Sequence, residues 1–368
     1  MDKSIQLYIA IPFCPQRCAH CKKAIWPYDQ TILKGYGIAL EREIAAAGEG
    51  MEDYTVRSVY FGGGVPPLIT TRVLRQCLAA VRRHFRTAPD MDVEVEALPA
   101  NFTEMLAVGM GHDGLTHMLC NLGTTQRKEW DMLSRPYDYD PSLERLQQCL
   151  EAHRPPHLTM TVFYAQPEQT DKRLADTLRR AMAYKPQCIR LEPQMPAAGT
   201  ALQAACEAGT YKPLAQAQAL QRLAEAEALL AQAGYQRYSL RDYALPGQEN
   251  RFELDRLQDM ERLGLGLGAA SHYDGVFYSN TIDLVTYLDN SADLSAIAQN
   301  ITAPDEEYLS RRRALLALST PAGLDTKALS PALAAFAQAQ LDAGTIQQQN
   351  DRLTLTPKGI LLWDEITA

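Results

Sequence analysis

The stretch LYIAIPFCPQRCAHC (residues 7–21) carries an apolar run, LYIAIPF, straight into three cysteines, Cys14, Cys18 and Cys21. The run is short, rich in β-branched and aromatic residues and closed by proline, which predicts a buried strand rather than a helix. The three thiols therefore lie at the end of a first strand. In folds of parallel strands and helical crossovers, that end is where chemistry collects.

The same texture recurs along the chain. SVYFGGG (58–64), VEVEAL (93–98), HMLCNL (117–122), LTMTVFYA (158–165) and CIRLEP (188–193) are short apolar runs. Between them lie segments of helical period such as YGIALEREIAAAG (36–48), TRVLRQCLAAVRRHF (71–85) and PSLERLQQCLEAH (141–153). Strand–helix alternation repeated six times predicts an α/β protein with a parallel sheet. Six units fit a partial barrel as well as a doubly wound sheet, and periodicity does not choose between them.

The texture changes near Pro213. LAQAQALQRLAEAEALLAQAGY (214–235) predicts a long helix ended by Gly234, and a Gly-rich segment, RLGLGLGAASHYDG (262–275), follows it. After Thr302, SRRRALLALST, SPALAAFAQAQLDAG and DRLTLTPKGILLWDEI predict helix, helix, a short strand pair and a last helix, the order of a winged-helix-like α+β module. The expected division is residues 1–212, 213–302 and 303–368.

Composition narrows the function classes. Of 368 residues, 46% are apolar and 22% charged, an ordinary globular balance. The formal net charge of −8 opposes bulk attraction to nucleic acid or an anionic membrane. The basic clusters VRRHFR (81–86) and SRRR (310–313) read as solvated helix faces. No apolar run reaches a membrane-spanning length, and MDKSIQLYIAIPFC lacks the pattern of a secretory leader. Of eight cysteines only three cluster, the usage of a reducing compartment, so a cytoplasmic protein is expected.

Cys-x3-Cys-x2-Cys offers three soft thiolates. A closed zinc site needs a fourth ligand; His20, wedged between two ligand cysteines, is poorly placed for it, which leaves a distant ligand open. The other reading is a [4Fe–4S] cluster held through three irons, with the fourth iron free for a reactant. Pro12, Pro15 and basic neighbours make a purely structural role for the three thiols the weakest reading.

Cysteines in this spacing after a first strand resemble the signature of radical S-adenosylmethionine (SAM) enzymes. The resemblance extends, in order, through VYFGGGVPPLI, VEALP, LSRPYDYDPSLERL, FYAQPEQT, AGYQRYSLRDYALPGQENR, LGLGLGAAS, YSNTIDLVTYL and LTPKG, and covers almost the whole chain. It is to the coproporphyrinogen III oxidase-like (HemN/HemW-like) branch. It implies a partial (β/α)6 barrel of the TIM type with a C-terminal winged-helix-like module. It also implies a cluster on Cys14, Cys18 and Cys21, and SAM cleaved reductively to a 5′-deoxyadenosyl radical that acts on a small molecule, a tetrapyrrole or heteroaromatic. An electron donor of flavodoxin or ferredoxin type would serve it. SAM would be held by Tyr8, His20, Gly62, Gly63, Gly64, Glu96 and Arg135, and its pocket lined by Thr161, Met195 and Ala270. Tyr164, Arg190 and Glu192, near strand ends, are candidates for proton transfer.

The chain also departs from the branch. A further cysteine of the oxidase pattern is Lys23 here, which speaks against literal coproporphyrinogen oxidation. The chaperone's haem-ligating histidine is Phe252, with Arg256 and Leu257 replacing its aromatic pair. In the SAM pocket, Val65, Gly123 and Thr161 replace a threonine, a glutamine and an aspartate. Two alternatives follow: a methyltransferase or cyclopropane-forming enzyme using two SAM molecules, and a non-enzymatic carrier of haem or metal. A zinc-stabilised regulator binding DNA through the C-terminal module is a third, opposed by the acidic charge.

Overall fold

The computed structural model describes residues 3–367, apart from the side chain of Ala328. The leader reading begins at Met1 and Asp2, which lie outside the described residues. Six strands alternate with helices as predicted. They are β1 (Lys3–Ile11), α1 (Gln30–Gly48), β2 (Tyr54–Gly63), α2 (Thr71–His84), β3 (Arg86–Ala97), α3 (Glu104–His112), β4 (His117–Gly123), α4 (Tyr139–Ala152), β5 (His157–Tyr164), α5 (Asp171–Ala183) and β6 (Cys188–Pro193). The predicted long helix follows as α6 (Gln216–Gln232), then β7 (Gln236–Arg237), β8 (Asp242–Ala244) and α7 (Arg251–Leu257). The Gly-rich segment forms a strand and a meander, β9 (Arg262–Leu265), β10 (Ala270–Tyr273), β11 (Val276–Asn280) and β12 (Ala298–Thr302). No helix among the described residues is long and apolar enough to cross a membrane.

The chain divides into two compact units that interleave in sequence. The first contains residues 3–122, 130–159 and 260–303. Its strand order is β12-β11-β10-β9-β1-β2-β3-β4. The strands from β9 to β4 pair in parallel, and β9 to β12 antiparallel. In β1, Ile5, Leu7, Ile9 and Ile11 are fully buried on one face while Gln6 and Ala10 are nearly so on the other. Burial on both faces is the mark of an interior parallel strand. Each such aliphatic side chain contributes about 1.5–3 kcal/mol on leaving water.

A buried polar cluster ties the Gly-rich loop to α1. The Glu43 carboxylate accepts from the Gly266 amide (2.7 Å), Asn280 Nδ2 and the Tyr287 hydroxyl. Tyr36 donates to the Ala10 carbonyl at 2.7 Å and accepts from the Leu267 amide at 2.9 Å. Gly266 has φ of +98°, and a Cβ there would stand 2.6 Å from both the Ala10 carbonyl oxygen and the Tyr36 hydroxyl. Only glycine fits. A strand, not a helix, follows this loop, so its glycines do not form a dinucleotide fingerprint.

The second unit contains residues 123–129, 160–259 and 304–367. Its strands run β5-β6-β8-β7, with β8 antiparallel to both neighbours. The C-terminal segment forms α8 (Glu306–Leu318), β13 (Leu324–Asp325), α9 (Pro331–Asp342), β14 (Ile346–Gln349) and β15 (Arg352–Leu355). The sheet order β13-β15-β14 adds one short strand to the expected pair. Gly323 at φ +67° turns the chain into that strand, and a Cβ there would lie 2.2 Å from the Leu353 carbonyl oxygen.

Candidate functional site

The cysteine loop leaves the end of β1 and is held by the backbone at several points. Phe13–Cys14 pairs in parallel with Trp26–Pro27, and the Ala19 amide donates to the Leu133 carbonyl at 2.8 Å. Arg17 Nη1 donates to the Lys23 carbonyl at 2.8 Å, closing the loop on itself. All three thiols are free and half-buried. Burial pushes the Cys14 thiol up to about 12, and the neighbouring Cys18 and Cys21 push it in the same direction. Cys18 is raised chiefly by burial, with Cys21 adding to it and the Arg135 guanidinium opposing. Burial and neighbouring thiols both oppose ionisation of Cys14 and Cys18, and a metal centre would supply the positive charge that favours their thiolates.

No group of three His, Cys, Asp or Glu among the described residues closes on a point that one metal ion could occupy. Thiolates spread over three irons of a cubane do not have to meet at one point, so the donor set fits a cluster better than zinc. His20 sits in the same loop, its imidazole pushed down to about 3 by burial and then by Arg135 and Lys23. It is neutral at working pH.

Arg135 is not the surface charge that a residue in that loop would suggest. It is 7% exposed, donates to Asn121 Oδ1 at 3.2 Å and to the Asn121 and Leu122 carbonyls, and lies over the Trp130 ring with 5.0 Å to its centroid. Its charge favours the thiolate of Cys18. Its fork is engaged by the end of β4.

Around the ends of β1, β2 and β3 the register places Tyr8 opposite Tyr60, and Tyr60 opposite Glu94. The Tyr8 and Tyr60 rings stack at 5.8 Å, and Arg262 covers Tyr8 at 6.0 Å. Glu96 is 8% exposed and accepts from the Tyr60 hydroxyl at 3.4 Å. Each glycine of the triplet has its own reason. A Cβ on Gly62 would stand 2.3 Å from the Tyr60 ring, Gly63 has φ of +111°, and a Cβ on Gly64 would stand 2.4 Å from the Phe13 carbonyl oxygen. Packing alone thus requires these glycines, whatever they bind. Ala270 is exposed on β10; its backbone lies where a Cβ on Gly264 would fall.

Sequence reasoning missed Tyr60 and gave Lys23 no role. Tyr60 was legible as the aromatic of SVYFGGG at the position matching Tyr8 of LYIAIPF. Lys23 donates to the Gly63 carbonyl at 3.0 Å and lies 3.9 Å from Glu96 Oε1, a contact between loop and sheet that no local pattern announces.

The remaining candidates belong to the second unit. Thr161 is buried on β5 and Met195 half-buried after β6. Gly123 has φ of +74°, and a Cβ there would meet the Phe163 ring at 2.7 Å, which excludes a glutamine side chain. The Tyr164 hydroxyl is buried without a hydrogen-bond partner among the described residues, and burial holds its pKa well above the ordinary phenol value. Arg190 is committed to Asp242 at 2.7 Å and, more loosely, to Glu253 at 4.0 Å. Glu192 is half-buried on β6.

The fold and site together define an α/β protein whose parallel sheet carries a thiol triad at the end of its first strand. No family model matches the chain. It is 25% identical over 365 residues to the heme chaperone HemW of Mycobacterium tuberculosis, covering 98% of this chain and 93% of that one. It is 27% identical to the HemW of Synechocystis over 73% of this chain and 66% of the other. It is 22% identical to the oxygen-independent coproporphyrinogen-III oxidase-like protein HemZ of Bacillus subtilis, over 73% and 57%. In fold it is similar to the coproporphyrinogen III oxidase HemN of Escherichia coli, a radical SAM enzyme. The TM-score is 0.82 at 19% identity, over 99% of this chain and 89% of that one. In sequence the chain is thus similar to HemW, and in fold it is similar to HemN.

Proposed function

We propose that this protein is a radical SAM enzyme that holds a [4Fe–4S] cluster on Cys14, Cys18 and Cys21 and binds SAM beside it. The observation that carries the reading is the placing of Cys14, Cys18 and Cys21 in one loop at the end of β1, beside Arg135 and the Tyr8–Tyr60–Glu96 group. When bound, the cluster supplies the electron that splits the SAM sulfonium into methionine and a 5′-deoxyadenosyl radical. The chain's own part is to bind and orient. Arg135 offsets thiolate charge, Tyr8 offers a stacked aromatic wall, and Glu96 offers a carboxylate to an amine or hydroxyl. The substrate class is a tetrapyrrole or heteroaromatic small molecule, the reductant a flavodoxin or ferredoxin, and the compartment the cytoplasm.

The test is anaerobic reconstitution with iron and sulfide, reduction with dithionite, addition of SAM and quantification of 5′-deoxyadenosine. The expected result is 5′-deoxyadenosine from the native protein and none from a Cys14→Ala, Cys18→Ala, Cys21→Ala triple variant. A sound cluster that leaves SAM intact would overturn the reading.

The HemW names favour a second reading, a carrier of heme. Phe252, which begins FELDRL where the chaperone has its histidine, cannot ligate iron and weighs against that motif. A saturable one-to-one heme complex in a spectroscopic titration would restore it.

A further inference from the structure

The second unit holds a buried polar cluster whose acceptors outnumber its donors. Glu129 lies in the segment after β4, and Gln166 and Gln169 come from the turn between β5 and α5. Their exposures are 1%, 0% and 2%. Thr124 Oγ1 donates to Glu129 Oε2 at 2.6 Å, and Gln166 Nε2 donates to the same oxygen at 3.2 Å. Gln166 Nε2 also reaches the Phe163 carbonyl at 3.5 Å, and Gln169 Nε2 donates to that carbonyl at 3.3 Å. Each amide nitrogen thus faces acceptors, and turning either amide over would set oxygen against oxygen. With both amides fixed in this way, Glu129 Oε1, Gln166 Oε1 and Gln169 Oε1 are buried oxygens to which none of the described residues donates.

The basic side chains of this region are engaged elsewhere. Arg173 donates to the Glu168 carbonyl at 3.3 Å, Lys128 to the Glu168 carboxylate at 2.8 Å, and Arg222 Nε to the Gln169 carbonyl at 3.3 Å. A buried carboxylate needs a compensating charge or a proton. We propose that Glu129, Gln166 and Gln169 form a binding site for a monovalent alkali cation, sodium or potassium, which ties the segment after β4 to the turn after β5. Hard oxygen donors suit such an ion, and one carboxylate balances its single charge. A calcium-type ion takes about six to eight oxygens, more than this cluster offers. A proton on Glu129 would serve one of the three oxygens and a water molecule two, whereas a cation serves all three. Burial raises the pKa of Glu129 against the pull of Thr124, Gln169, Arg173 and Gln166, the penalty that a bound cation would relieve. The inference uses none of the thiol-triad residues and stands whether or not SAM binds.

The experiment measures Tm of the full chain in potassium, sodium and tetramethylammonium chloride at one ionic strength. The last cation is too large for the site. Native protein is expected to gain about 3 °C in potassium or sodium chloride over tetramethylammonium chloride, and the gain should saturate as one salt replaces the other. Glu129→Gln removes the charge and brings an amide that can donate to the two glutamine oxygens, so its Tm is expected to be the same in all three salts. Equal midpoints for native protein in the three salts would mean a proton or an ordered water only, and would overturn the proposal. So would a gain that Glu129→Gln keeps in full, since the ion would then bind elsewhere. A measurement on native protein alone stands beside the variant: crystals soaked in thallium(I) acetate, a heavy stand-in for potassium, and their anomalous scattering. A peak bounded by Glu129 Oε1, Gln166 Oε1 and Gln169 Oε1 supports the site. Thallium at the cysteines or the surface but not there overturns it.

Discussion

Single residues around the thiol triad do two jobs, and substitution separates them. Gly62 and Gly64 are both required by close approach, but the neighbours differ. A methyl on Gly62 meets the edge of the Tyr60 ring, which can shift; one on Gly64 meets the Phe13 backbone at 2.4 to 2.8 Å, which cannot. Gly62→Ala is therefore expected to cost about 1–3 kcal/mol, the usual range for overpacking, and Gly64→Ala clearly more. Thermal unfolding in the absence of SAM checks the order. Equal midpoints for the two variants would show that the triplet's packing is not what demands glycine. The family resemblance places these glycines among the residues that would hold SAM. In the fold the packing reason comes first, and the Gly63 carbonyl accepts from Lys23.

At the scale of elements, α1 and the Gly-rich loop between β9 and β10 are joined by one buried carboxyl. Three donors favour the Glu43 anion, yet burial outweighs them and holds its pKa up at about 7, against an ordinary 4.5. A raised carboxyl binds more protons in the folded than in the unfolded chain between those values. Its contribution to stability is therefore largest below pH 4.5 and declines as pH rises to 7, by on the order of 3 kcal/mol. Glu43→Gln removes this titration. The native-minus-variant difference in Tm is expected to fall steadily between pH 4.5 and 7 and to be flat above. A difference that stays constant through that window would assign the titration to another group.

For the molecule as a whole, net charge sets what the C-terminal module can do. Its shape, α8 and α9 beside a three-stranded sheet, is one that binds DNA elsewhere, but the chain carries 44 acidic against 36 basic residues. Arg311 and Arg312 on α8 are spent within the unit, over Phe336 and on Asp259. Fluorescence anisotropy of a labelled 20-base-pair duplex at physiological salt is accordingly expected to stay flat up to micromolar protein. A salt-sensitive rise would give the module a nucleic-acid role. The proposed division at residues 212 and 302 belongs to this scale too, and limited proteolysis that cuts near those points and leaves stable fragments would support it.

Much of this was open to sequence because it is local. The six strands, the long helices and the three cysteines at the end of β1 follow from periodicity and spacing within windows of ten to twenty residues. The meander of β10, β11 and β12 was missed because its strands are short, half-exposed and interleaved with glycine. What tertiary structure alone decided is which distant groups meet. Arg135 is buried against the end of β4, Tyr60 stacks on Tyr8, Glu43 receives a loop more than two hundred residues away, and Lys23 reaches Gly63 and Glu96. Residue type and spacing can say that a thiol triad lacks a fourth ligand. Only the register of parallel strands, set by burial on both faces of β1, decides which carbonyl, carboxylate and ammonium surround it.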